Sequence, residues 1–406
     1  MYQIIHQIRS LTFNQRFALV LLIIMSTQFV AIEGFGTSPI KVSVMSFCFF
    51  FFFWKVPFVS KAVWYSIFYW TICFCIALLH ETFRFSTLVY LGMFLMAYVV
   101  YYHLIYQDTF SLHQFKKILS YIIYAYCIVL ILQQLLILIG VRNLPIINLV
   151  DYTGNAYYKW NRLPILTCEP SHSARIVIAT MLGYIRCLEF EERMKISLKK
   201  LFNKENKWVS ISFLWIIFMM GSGTAWFGFC ILCLYFIHWR TFLYAIPVIV
   251  SLFFLAQMSN NEQLRRVITV AEVTIKGNNE AMFKTDVSAS TRISPLYNTF
   301  TIDLTKAESW LGEGNAEYKP DVWKDLTLKT PIVEQYGLIG FLFSLLLIYT
   351  CAIRKIISIE TALFIFMSLM SLGNEYHIWS LMYIFTATRY FQTKKGNGYL
   401  GYHSEL

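Results

Sequence analysis

The sequence predicts an all-α polytopic membrane protein, with about twelve transmembrane helices and one long loop between two of them. Apolar residues make up 57% of the 406-residue chain and charged residues only 14%, whereas a soluble domain carries about 25% charged residues. The apolar residues also fall into runs close to the length of about 20 residues that crosses a bilayer. A large soluble core is therefore excluded.

Each predicted helix is an apolar run bounded by polar or basic residues. The first run lacks an A-x-A-like cleavage site, so it is expected to remain as a helix. The phenylalanine-rich FCFFFFFW segment belongs to the second run and is expected to face lipid or pack in the core. The runs lie near residues 16–34, 42–55, 62–80, 85–105, 118–140, 172–190, 208–222, 224–238, 242–257, 332–352, 358–373 and 377–392.

Basic residues predict the orientation. Loops on the cytoplasmic side carry an excess of Lys and Arg, and long loops are exempt from this rule. Placing both termini in the cytoplasm puts most of these residues on that side. They are Arg9, Arg16, Lys55, Lys61, Lys116, Lys117, the run 193–207, Arg240, Arg354, Lys355, Lys394 and Lys395.

Two outer segments interrupt the helices and define the organisation. Residues 1–257 form a transmembrane bundle with an outer loop at 141–171, and residues 331–406 form the last helices and a cytoplasmic tail. Residues 258–330 form a long hydrophilic loop with many apolar and aromatic residues. Disorder is not expected of such a loop, and we interpret it as a lid over the outer mouth of the bundle.

The net charge of +11 does not indicate nucleic-acid binding. Much of it comes from topogenic Lys and Arg, which also favour anionic membrane lipid. The nine cysteines lie mostly in apolar runs, including the single CxxC spacing, CILC at 230–233, and no HExxH or DxD motif is present. The sequence therefore indicates neither a metal nor another cofactor.

The strongest candidate site lies where a helix enters the membrane, in RLPILTCEPSHSAR. Ionisable residues at membrane depth usually line a cavity or a pathway. Arg175 should lie one turn beyond His172 on the same face, and Glu169 with Pro170 should mark the start of the helix. Single residues of this kind are as often interfacial anchors, but Arg162, Glu169, His172 and Arg175 together favour function.

Other candidates carry weaker signals. Arg292 is a loop arginine, and Tyr157 and Trp160 suit stacking on sugars or an aromatic belt. Among Asn374, Glu375 and His377, two can line one cavity, although an interfacial turn is the plainer interpretation. GSGT at 221–224 predicts a tight turn, and the glycines of 334–340 suggest close helix packing.

The order of these motifs resembles the O-antigen polymerase and O-antigen ligase family of bacterial membrane glycosyltransferases. The motifs are Arg162 followed by EPS at 169–171, Ser288 to Arg292, Gly312 to Gly314, and EQYGLIG at 334–340. The resemblance covers roughly residues 160–345 in its motifs and the whole chain in topology.

This resemblance implies a GT-C-like fold in the bacterial inner membrane. The expected activity is metal-independent polymerisation of undecaprenyl-diphosphate-linked oligosaccharide on the periplasmic side, with a chain-length regulator as a candidate partner. Arg162, Arg175 and Arg292 would bind the diphosphate, Tyr157 and Trp160 the glycan. Glu169, or in second place His172, would accept the proton of the acceptor hydroxyl.

Three alternatives remain open at the level of sequence. A ligase of this family usually carries a histidine shortly before the segment at 334–340, and WKDLTLKTPIVEQYG has none. A flippase or transporter of the same lipid would show related halves with broken helices at matching positions, and no such repeat is visible. A membrane acyltransferase would need a convincing catalytic histidine.

Overall fold

The computed structural model describes residues 11–28, 38–57, 60–80, 84–140, 163–167, 169–237, 295, 298–299, 301–314 and 330–396. Every regular element within these residues is a helix. We number them α1 Phe13–Ser26, α2 Pro39–Lys55, α3 Lys61–Leu78, α4 Phe85–Tyr106, α5 Leu112–Leu138, α6 Pro170–Glu192, α7 Leu198–Leu201, α8 Lys207–Met219, α9 Gly223–Cys233, α10 Ala307–Leu311, α11 Pro331–Leu347, α12 Ile359–Ser368 and α13 Tyr376–Gly396. A 3₁₀ turn extends α9 and a π turn, Ile348–Ala352, extends α11.

The helices follow the predicted apolar runs. Each run overlaps a helix except the one near 242–257, which lies outside the described residues. Four helices are long and apolar enough to cross a membrane, namely Lys61–Leu78, Phe85–Tyr106, Leu112–Leu138 and Pro331–Ala352. Four other apolar helices have only 10–17 residues. The described part of the chain is therefore a helical membrane protein with four helices of spanning length, fewer than the twelve expected.

Local sequence explains where several helices begin. Thr12 and Gln15 form a reciprocal capping box at α1, and Ser111 with Gln114 forms another at α5, which satisfies backbone donors that a helix start leaves open. Glu169 is the N-cap of α6 and Pro170 its first residue, as predicted, because the fixed φ of proline suits the first turn.

Helices α6 and α13 form the centre of the bundle and pack against each other. Packing in lipid gains little from the hydrophobic effect, so small residues and interhelical hydrogen bonds matter more. At Gly183 of α6, an added Cβ would lie 2.8 Å from Ile384 of α13 and 3.1 Å from Leu119 of α5. Ser26 and Ser380 join α1 to α13 through hydroxyls 2.9 Å apart.

One end of the bundle collects the ionic contacts of the predicted cytoplasmic side. Lys116 at the start of α5 pairs with Glu191 at the end of α6, and Lys394 near the end of α13 pairs with Asp108 in the α4–α5 turn. Arg186 of α6 binds Glu360 of α12 with its Nε 2.7 Å from a carboxylate oxygen. Two of the basic residues that the positive-inside rule grouped together, Lys116 and Lys394, therefore lie at one end of the described bundle.

Candidate functional site

The opposite end of the bundle holds a cluster of ionisable side chains at the starts of three helices. The chain reverses between α1 and α2, so the first turn of α2 lies beside the first turns of α6 and α13. The first turn of a helix favours negative charge through the dipole and its open N–H groups. We call this set the Arg175 cluster, and it comprises Lys41, Glu169, His172, Arg175, Glu375, Tyr376 and His377.

Arg175 connects α6 to α13. Its Nη1 contacts Nε2 of His377 and lies 3.8 Å from a carboxylate oxygen of Glu375. The same Glu375 oxygen lies 3.0 Å from Nε2 of His377. The side chain of His377 is 1% exposed and that of Glu375 is 56% exposed, so the cluster runs from the bundle interior to its surface.

His172 lies over His377 on the neighbouring helix. The two imidazole rings are stacked with their centroids 4.1 Å apart, and the Tyr376 hydroxyl lies 3.5 Å from Nδ1 of His172. The predicted alignment of His172 and Arg175 on one face of α6 is confirmed, since both contact His377. Stacked rings at this distance disfavour a positive charge on both at once.

Glu169 faces the cluster from the N-cap of α6. Its side chain makes no capping hydrogen bond. Instead, a carboxylate oxygen accepts a hydrogen bond of 3.0 Å from the Ser171 hydroxyl, and the carboxylate attracts Arg175 electrostatically. The side chain is only half-buried, so this carboxylate can be reached from the surface of the bundle.

Lys41 and Tyr376 belong to the cluster but were not predicted from the sequence, and Lys41 is the charged residue of the two. It is 3% exposed, and its Nζ donates to the Thr27 carbonyl at 3.0 Å and to Oε1 of Gln28 at 3.1 Å. The ammonium also lies 3.7 Å from the centroid of the Tyr376 ring, a cation–π contact. The sequence feature that could have identified Lys41 is its position on the predicted outer side, where the positive-inside rule expects few basic residues.

The Gly312–Gly314 and EQYGLIG motifs contact each other near α3. Gly337 has φ 63° and ψ −171° and breaks α11, so it does more than the helix packing we expected from the sequence. The backbone of residues 310–313 fills the break, with the Glu313 N–H donating to the Glu334 carbonyl at 2.7 Å. An imidazole nitrogen of His80 lies 3.2 Å from the Leu311 carbonyl.

Other predicted features divide between the described and the undescribed residues. GSGT forms the expected turn between α8 and α9, with Gly221 at φ 67°. Glu375 and His377 do line one site. Arg162, Arg292, Tyr157 and Trp160 lie outside the described residues, as does most of the proposed lid at 258–330. Among the described residues, no three His, Cys, Asp or Glu side chains are grouped to hold a metal ion.

The fold and the cluster together define a helical membrane protein with a partly buried cluster of charged side chains at one end. Comparisons of the chain with protein-family models, with curated proteins and with solved structures give no match.

Proposed function

We propose that the protein polymerises undecaprenyl-diphosphate-linked oligosaccharide repeat units at the periplasmic face of the bacterial inner membrane. The observation that carries the proposal is the position of Arg175, a guanidinium held inside a membrane bundle beside two imidazoles and open to one end. An arginine at this depth is costly and is typical of a binding site for an anion. A lipid diphosphate is such an anion, and its headgroup lies at a membrane surface, where this end of the bundle would lie in the proposed topology.

The topology proposed with this function has about twelve spans, a GT-C-like arrangement and both termini in the cytoplasm. The distribution of charge supports the sidedness. Lys116 and Lys394 lie at one end of the bundle and the Arg175 cluster lies at the other. If the basic end is cytoplasmic, the Arg175 cluster faces the periplasm, where lipid-linked repeat units would be joined.

Electrostatic stabilisation of the leaving diphosphate would supply most of the catalysis. The guanidinium of Arg175 offers a planar fork of N–H donors that matches phosphate oxygens. Lys41 adds a second positive charge to the same cluster. In this proposal Arg162 and Arg292 complete the diphosphate site, and Tyr157 with Trp160 holds the glycan.

The acceptor hydroxyl must lose a proton as it attacks the anomeric carbon. The bond from that carbon to the diphosphate breaks, and its electron pair leaves with the diphosphate. Glu169 remains our first choice of base, because its carboxylate is half-buried and makes no capping bond. His172 remains the second choice, since it lies in the same turn of α6.

Site-directed variants test the proposal in cells in which the chromosomal gene is deleted and replaced. Arg175→Ala should collapse the glycan ladder to single repeat units, because it removes charge-assisted hydrogen bonds to the diphosphate. Such a bond contributes about 1.5–3 kcal/mol, and its loss would weaken binding of the transition state roughly 10- to 150-fold. Arg175→Lys should restore little, because an ammonium has no fork. Arg193→Lys, at the exposed C-cap of the same helix, is the matched control and should leave the ladder normal.

Wild-type ladders from Arg175→Ala and Arg175→Lys, at normal protein levels, would refute the proposed site. A wild-type ladder from the deletion strain itself, with no second gene of the same activity, would refute the proposed function. Long polymer kept on the lipid carrier and absent from the outer core would instead indicate a ligase.

One observation favours a second function, transport of the same lipid-linked sugar. Transporters often use helices broken near the membrane midplane, and α11 is broken at Gly337. The break is filled by the chain's own backbone, and no other described helix carries a non-helical residue in its interior. Single repeat units trapped on the cytoplasmic face of deletion cells would identify transport.

A further inference from the structure

One nitrogen of His377 has two competing partners. Nε2 contacts Nη1 of Arg175 and also lies 3.0 Å from an oxygen of Glu375. A neutral imidazole with its lone pair on Nε2 accepts a hydrogen bond from Arg175. An imidazole protonated at Nε2 donates to Glu375 and cannot accept from Arg175. The two hydrogen bonds are therefore alternatives, and the presence or absence of a proton on Nε2 decides between them.

The charged and titratable groups that face His377 decide how favourable a positive charge on its ring is. Positive groups oppose a charge on His377 and negative groups favour it. The positive groups are buried or half-buried, whereas Glu375 is exposed to solvent. Without a bound anion, the contact between Nη1 of Arg175 and Nε2 fits a neutral His377 that accepts from Arg175. The groups are Glu375 and Tyr376 on α13, Glu169, His172 and Arg175 on α6, and Lys41 on α2.

We propose that binding of an anion by Arg175 is coupled to uptake of one proton by His377. An anion that draws the Nη1 N–H of Arg175 removes the donor from Nε2, and its negative charge favours the imidazolium. Protonated His377 then donates to Glu375, which its present distance already allows. The exposed carboxylate of Glu375 provides the route by which a proton from solvent reaches the buried ring.

This inference rests on the proposed function in one respect, that Arg175 binds an anion. It deepens that function, because a diphosphate brings more negative charge than one guanidinium neutralises. A proton taken up with the substrate would add a positive charge beside those of Arg175 and Lys41. If the site carried this extra positive charge permanently, its cations would repel one another whenever no anion was bound.

The sign of the pH dependence follows from linkage. If binding takes up a proton, lowering the pH favours binding, and one proton gives at most a tenfold change in affinity per pH unit. The titration is run between about pH 5 and 8, the range in which an ordinary histidine side chain changes its charge. Inorganic sulfate is the probe of choice, because it stays divalent throughout this range while phosphate and diphosphate do not.

The experiment is calorimetric titration of the full-length protein in detergent with sodium sulfate. Repeating it in two buffers of different ionisation enthalpy gives the number of protons taken up. We expect uptake approaching one proton for the wild type and none for His377→Gln, whose side-chain amide keeps a polar atom near the position of Nε2 without titrating. His113→Asn, an exposed histidine at the other end of the bundle, is the matched control and should keep full uptake.

Several outcomes would overturn the proposal. They are sulfate binding without proton uptake by the wild type, undiminished uptake by His377→Gln, loss of uptake in His172→Asn but not in His377→Gln, and absence of sulfate binding altogether. The first and last are measured on the wild type, so a variant that fails to fold does not block the test. No glycan chemistry is involved, so a failure here is distinguishable from a failure to polymerise.

Discussion

Replacing Gly337 with alanine should destabilise the protein strongly, because the added methyl group introduces both backbone strain and steric overlap. Gly337 has φ 63° and ψ −171°, a backbone conformation essentially restricted to glycine that costs about 1–3 kcal/mol for other residues. An added Cβ would also lie 2.1 Å from the Trp310 carbonyl oxygen and 2.6 Å from the Gly312 nitrogen. These are backbone atoms, which cannot rotate away.

Overpacking of this kind typically costs a further 1–3 kcal/mol, so we expect the free energy of unfolding of Gly337→Ala to fall by about 2–6 kcal/mol in total. The assay is the thermal unfolding midpoint of the purified protein in detergent, measured for Gly337→Ala and for Gly223→Ala. Gly223 begins α9 and has no atom within 4 Å of its added Cβ, so its variant should stay close to the wild type.

A second variant tests whether the cost comes from the joint between α10 and α11. Gly312 has φ 73°, and its added Cβ would meet the backbone of Gln335 and Gly337 at 2.6 Å. Gly312→Ala should therefore destabilise as well, and the double variant should lose less than the sum because both act on one contact. A Gly337→Ala midpoint equal to that of Gly223→Ala would refute this reasoning.

Three further predictions concern the two ends of the bundle. Arg186→Ala should lower the free energy of unfolding by somewhat less than the roughly 3–5 kcal/mol that breaking a fully buried ion pair costs, because the side chains of Arg186 and Glu360 are 22% and 15% exposed. A thermal unfolding midpoint equal to that of the wild type would contradict this prediction. Hydrogen bonds from Lys394 and Tyr390 lower the pKa of Asp108, so their stabilisation is full at neutral pH and lost as the pH falls through that lowered pKa. Asp108→Asn should accordingly lower the free energy of unfolding at pH 7 by less than about 1 kcal/mol and leave it unchanged in strong acid. An equal loss at both pH values would argue against the pairing. Tyr376→Leu should lower the free energy of unfolding by about 0.5–2 kcal/mol, because it removes the cation–π contact with Lys41. Tyr376→Phe keeps the ring and should lower it by less in the same thermal unfolding experiment. An equal loss in both variants would attribute the effect to the tyrosine hydroxyl.

Part of the site was predictable from neighbouring residues. Glu169 and Pro170 marked the start of α6 because capping and proline preferences act within one turn. His172 and Arg175 were predicted to share a face because three residues span about one turn. The structure confirms both points, since the helix begins at Pro170 and both side chains contact His377.

The partners of Arg175 were not predictable in the same way. His377 is 202 residues away along the chain. Lys41, which contacts Tyr376 in the same cluster, lies on a third helix, so only packing of the helices brings these residues together. The break at Gly337 has a similar origin. Glycine permits that conformation, but the backbone at Trp310 and Gly312 is what occupies the space beside it.

The sequence by itself determined that this is a helical membrane protein, and it determined roughly where its helices lie. Hydropathy, capping and proline preferences act over one or two turns, so they can be recognised without knowing the fold. Only the tertiary structure decided which helix ends converge, and therefore which ionisable residues share a site. That choice depends on shape, as at Gly183 between α5, α6 and α13, and on interhelical hydrogen bonds such as that of Ser26 with Ser380. Neither leaves a periodic pattern in the chain.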